Sequence, residues 1–144
     1  MESSVEHEHY QKGIMLALSG YQLIEASLKL YLKNYYKIAK YLIADRLHFD
    51  FDGTDYDNAP LGQLVKAFSK TCADQDLAKD LKSEVSHRNH IAHKATLELF
   101  KKEPLSSNEL NDLSAEIKIR GEKITTLLSR LEEANLVLQR HFDD

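Results

Sequence analysis

From Ile14 to Leu42, apolar residues recur in alternating steps of four and three. They are Ile14, Leu18, Tyr21, Leu28, Leu32, Tyr35, Ala39 and Leu42. That rhythm turns one side of a helix towards a core, and it predicts a long first helix reaching about residue 45. A second such run comprises Leu110, Leu113, Ile117, Ile124, Leu127, Leu131, Ala134 and Leu138. Only 5 glycines and 2 prolines punctuate 144 residues, so little stops a helix once it has begun. Ser3 and Glu6 have the spacing of a capping box at the start of the first helix.

Between the long runs, "HFDFDGTDYDNAP" breaks the periodicity and reads as a loop. Pro60 suits the first turn of a short second helix that carries Leu61, Leu64, Val65 and Phe68. A third helix begins near Asp74 or Asp76 and presents Leu77, Leu81, Val85, Ala92, Ala95 and Leu99. "KKEPLSS" separates it from the fourth, capped by Ser107. No stretch alternates as a strand does. The expected fold is all-α, an up-and-down four-helix bundle with two long helices, in one domain over residues 1–144.

Composition narrows the function classes. With 42% hydrophobic and 29% charged residues the chain reads as soluble and globular. Its single cysteine, Cys72, excludes an internal disulfide and fits a reducing cytosol. No apolar run approaches the ~18 residues of a membrane span, and "MESSVEHEHY" is too polar and acidic for a signal peptide. Nineteen basic against 23 acidic residues give a net charge of −4, so a polyanion partner would need a local basic patch.

Charged residues stand in the apolar registers at three places: Glu25, Arg88 and Arg120. A guanidinium stays protonated, so each arginine demands a partner or a polar cavity. Glu25 is expected to pair with Arg88 or with Arg120, in a structural role or in support of a site.

The densest chemistry is "SHRNHIAHKA", residues 86–95, with three of the 7 histidines beside Arg88 and Lys94. His90 and His93, three apart, share a helix face and could both ligate a metal, but no carboxylate or cysteine sits at a supporting spacing. "DFDGT" in the loop matches the nucleophile motif of haloacid-dehalogenase-type phosphotransferases, yet the buried strand that motif requires is missing. Asp50, Asp52, Asp55 and Asp57 lack the ligand spacing of a calcium-binding loop.

Arg88 and His93 form Arg-x4-His, with Asn89 directly after the arginine and Ala92 directly before the histidine. "SHRNHIAH" resembles the Arg-x4–6-His motif of the HEPN domain family, and "GYQLIEASLKLYL", residues 20–32, resembles the first long helix of such domains. The resemblance implies a helical bundle that pairs with a second copy, so that the Arg and His residues of two protomers line a shared cleft. Active members are metal-independent endoribonucleases that need no cofactor. Many are bacterial toxins or defence proteins, and others are inactive binding modules. In one toxin branch the antitoxin modifies a tyrosine two residues after the histidine, but here Ala95 stands at that position, so regulation of that kind is not expected, while a different antitoxin or partner protein stays open.

The implied roles agree with the side-chain chemistry. RNA carries its own nucleophile, the 2′-OH, so cleavage requires proton transfer and stabilisation of a crowded phosphate. An imidazole at His93 suits the first task and the planar fork of Arg88 the second. Asn89 is one turn from His93 and would orient the ring or the substrate; His87, His90 and Lys94 would add positive charge for RNA. On a regular helix Arg88 and His93 stand roughly 140° apart, which a second protomer across a two-fold axis would resolve. The alternative is a non-catalytic helical module for dimerisation or for protein or nucleotide binding, in which the same residues fill a polar interface.

Overall fold

Each apolar run folds as a helix: α1 spans Glu2–Ile43, α2 Leu61–Ser69, α3 Gln75–Phe100 and α4 Ser107–Asp143. The computed structural model describes residues 2–100 and 105–143, without the side chains of 2–4, 98, 99, 142 and 143. The expected Ser3 cap, the packing of Leu99 and most of "KKEPLSS" lie outside the described residues. The chain is an all-α four-helix bundle, with no strand among the described residues.

Side-chain caps fix two helix starts. Asp74 Oδ1 accepts the Leu77 N–H at 3.0 Å and opens α3, as one of the two expected positions. Ser106 Oγ accepts the Glu109 N–H at 3.2 Å, so α4 is capped one residue before Ser107. Each bond satisfies an amide that the helix cannot satisfy internally, typically worth about 1 kcal/mol.

The two long helices approach closely through glycine. A Cβ placed on Gly13 would come within 2.8 Å of Ile117 Cγ2, and one on Gly20 within 2.7 Å of Ile124 Cγ2. Since both partners ascend together, α1 and α4 run parallel. The buried pair Tyr21–Glu84 and the bonds Arg120–Glu84 and Arg130–Asp80 set α3 antiparallel to both. This refines the up-and-down order: a strict alternation would oppose the first and fourth helices. The long connection 44–60 makes the difference, because it folds back along α1 before α2 begins.

Gly20→Ala is expected to destabilise the protein. Ile124 is β-branched and almost fixed on a helix, so the new methyl group forces the helices apart. Overpacking of this kind costs about 1–3 kcal/mol, more than the ~0.5–1 kcal/mol that alanine returns in helix propensity. A lowered urea midpoint with unchanged slope checks this.

The core seam of α1 differs in detail from the heptad reading. Its buried residues are Tyr10, Ile14, Ala17, Tyr21, Ile24, Leu28, Tyr31 and Leu32, whereas Leu42 is 70% exposed. The buried residues keep the four-three rhythm from Tyr10 to Tyr31, but through Ala17, Ile24 and Tyr31, each one residue before the expected Leu18, Glu25 and Leu32. Ile24 rather than Glu25 occupies the inward position.

Three phenols are held protonated by their surroundings. Burial and the neighbouring Glu84 carboxylate push the Tyr21 phenol far up, and burial beside Cys72 pushes Tyr31 up. Burial and a hydrogen bond with Tyr56 raise Tyr36 to about 12. A raised phenol contributes stability that is fully present below its unfolded value near 10 and is lost as pH climbs towards the folded value. The protein is therefore expected to lose stability steadily above about pH 10. In an alkaline titration the last phenolate absorbance should appear together with loss of helical circular dichroism.

Candidate active site

Helix α3 presents two different faces. Towards the core it sends Leu77, Leu81, Glu84 and Ile91, all buried, with Arg88 in the same register and half-buried. On the opposite side, in steps of three and four, come Lys79, Lys82, Ser86, Asn89 and His93, all exposed. Leu97 and Phe100, 48% and 78% exposed, continue that stripe.

Arg88 does not meet His93 within the chain; its Nη1 donates to Asn89 Oδ1 at 3.3 Å. Asn89, expected to orient the His93 ring or the substrate, shares a face with His93, while its side-chain bond goes to the arginine. His93 and His90 are exposed, and His87 and Lys94 are half-buried. Among the described residues no three of His, Cys, Asp and Glu converge as a metal-binding group.

The expected partnership of Glu25 is not formed. Among the described residues Glu25 has no ion pair, because it sits beside the inward register rather than in it. Arg120 is paired as expected, but with Glu84: Arg120 Nη1 donates to Oε1 at 2.6 Å while the Tyr21 hydroxyl donates to Oε2 at 2.7 Å. Both oxygens of a carboxylate only 1% exposed are thereby satisfied. Sequence reading passed over Glu84, although it lies seven residues after Leu77 and three after Leu81, on the inward register.

The three half-buried arginines now separate clearly. Arg120 is neutralised by Glu84, and Arg130 by Asp80 at 2.6 Å, with Asp74 at 3.8 Å. The Arg130 guanidinium holds the Asp80 carboxyl below its ordinary value. Arg88 alone of the three has no carboxylate partner among the described residues. Among the described residues its side-chain hydrogen bond goes to a neutral amide oxygen. A planar cation so placed is open to an anion from outside, such as a phosphate.

The acidic loop has a structural account. Asp52 Oδ1 accepts both the Thr54 N–H at 3.0 Å and the Thr54 hydroxyl at 2.7 Å, and these bonds hold its carboxyl below the usual range. Gly53 is left-handed at φ 87°, and a Cβ there would lie 3.1 Å from Lys33 Cα. Asp57 pairs with Lys33 at 3.1 Å, and Tyr56 stacks on Tyr36 at 6.3 Å. "DFDGT" is a turn that clasps the loop to α1, not a nucleophile on a strand.

Comparison with known protein families, curated proteins and solved structures finds no match to this chain. No described helix is long and apolar enough to cross a membrane.

A groove of about 650 Å³ lies between α2 and α3 and ends at Asn89. Lys66, Lys79 and Lys82 line it, and its lining includes no carboxylate. Sequence reading missed these lysines too; the signal was the run 79, 82, 86, 89, 93 at helical spacing, which leads to His93.

Proposed function

We propose that this chain is a HEPN-like endoribonuclease that cleaves single-stranded RNA without a metal, in a cleft shared by two copies. The observation that carries the reading is the half-buried Arg88 guanidinium, with no carboxylate partner among the described residues, on the turn of α3 that precedes the exposed His93.

The chemistry follows from these groups. One His93 imidazole takes the proton of the ribose 2′-OH as its oxygen attacks phosphorus. The P–O bond to the 5′ oxygen breaks, and the same imidazole, protonated in the first half of the step, returns its proton to that oxygen. The products are a 2′,3′-cyclic phosphate and a 5′-hydroxyl end. Arg88 donates to the phosphate oxygens as charge accumulates, and Asn89 holds the guanidinium by the bond at 3.3 Å. Asn89 is thus a positioning residue.

Two features support a second copy. Arg88 and His93 point roughly 140° apart on one helix, so a cleft holding both is built most directly from two. Leu97 and Phe100 expose apolar surface on the His93 stripe, and a symmetric partner would cover it.

The test is incubation of the purified chain with single-stranded RNAs of mixed sequence in excess chelator. Fragments ending in 2′,3′-cyclic phosphate are expected. RNA that is bound but never cut would make the chain a non-catalytic binding module, and this reading would be wrong.

A further inference from the structure

We infer that the groove between α2 and α3 is the track along which the RNA backbone runs to His93. This rests on the ribonuclease reading and adds a binding surface to it. In a chain of net charge −4, Lys66 of α2 and Lys79 and Lys82 of α3 gather around one groove whose lining includes no acid. All three are exposed, and none is ion-paired among the described residues. Unspent lysines at such a concentration attract a polyanion.

Direction and length favour a strand over a compact anion. Lys79, Lys82, Ser86, Asn89 and His93 follow one another on a single face of α3. From Lys79 to His93 the helix rises about 21 Å, room for several consecutive phosphates. The floor is apolar at Val85, where Gly62 of α2 keeps the wall low: a Cβ on Gly62 would already touch Val85 Cγ1 at 3.6 Å. Ser86 and Asn89 add neutral hydrogen-bonding groups, so the charge lies at the lysine end and the polar, reactive residues at the other. A single strand held by its phosphates at one end would present a later phosphodiester to Arg88 and His93.

Binding and cleavage are separable by experiment. On a His93→Ala background, which leaves the groove intact, fluorescence anisotropy is measured with a labelled single-stranded RNA. Adding Lys66→Ala, Lys79→Ala and Lys82→Ala is expected to weaken binding tenfold or more at low salt. The slope of log affinity against log salt should fall by about 2, since each phosphate contact to a single strand contributes ~0.7. The charge-matched control, Lys12→Ala, Lys40→Ala and Lys118→Ala, should bind as the parent does. Equal binding by the groove variant and the parent overturns the track while leaving chelator-resistant cleavage by the native chain standing. Binding of oligoglutamate as tight as that of RNA also overturns it, in favour of an acidic protein partner. A parent that neither binds nor cuts RNA overturns both readings together.

Discussion

His93→Ala and Arg88→Ala should each lower RNA cleavage at least a hundredfold while leaving the fold intact. A positioned general acid or base contributes typically 10²–10⁴-fold, and a donor aimed at developing charge contributes about 10²–10³. Both side chains can be removed at modest structural cost. His93 is exposed, and Arg88 gives up only one long hydrogen bond to Asn89, 3.3 Å. Arg88→Lys should not restore the rate, because an ammonium cannot grip two phosphate oxygens in one plane. Initial rates in excess chelator, with circular dichroism of each variant, check the prediction. Cleavage that survives both substitutions belongs to another protein in the preparation.

Glu84→Ala should be the most damaging single change to stability. It strips a buried Tyr21 hydroxyl and the Arg120 guanidinium of their shared acceptor. Removing one partner of a buried ion pair costs about 3–5 kcal/mol, since the remaining charge stays buried and unpaired. The Arg120 side chain keeps 15% exposure, so water relieves part of the penalty and the lower end, about 3 kcal/mol, is expected. That corresponds to a fall in Tm on the order of 10 °C for a chain of this size. Glu84→Met, Arg120→Met and Tyr21→Phe combined should recover much of the loss, because apolar groups of similar volume need no partner. Urea midpoints of both variants decide it: a single substitution costing under about 1 kcal/mol would mean that water already reaches the pair.

The long helices were legible because periodicity is a property of the backbone. The four-three rhythms of residues 14–42 and 110–138 locate α1 and α4 without any knowledge of their partners. Their relative direction was not legible, since it depends on how the loop at 44–60 folds back over Tyr36 and Lys33. The same gap explains Glu25 and Glu84. Both stand close to an apolar register: the α1 seam runs through Ile24, one residue before Glu25, while α3 carries Glu84 inward. Which acid meets Arg120 is a matter of helix packing, which spacing within one helix does not contain. Arg88, Asn89 and His93 are visible as a motif, yet that Arg88 has no carboxylate partner among the described residues is a fact of three dimensions. The lysine track needed two helices side by side before its charge added up.

The central claim is that Arg88 of one copy works with His93 of another. Mixing the two inactive variants tests it most directly: Arg88→Ala and His93→Ala chains are co-expressed or exchanged at equal amounts, and RNA cleavage is measured in chelator. In a shared cleft each mixed dimer regains one intact Arg–His pair, so about a quarter of the native rate should return. If the mixture is no more active than either variant alone, Arg88 and His93 act within one chain and the shared cleft is wrong.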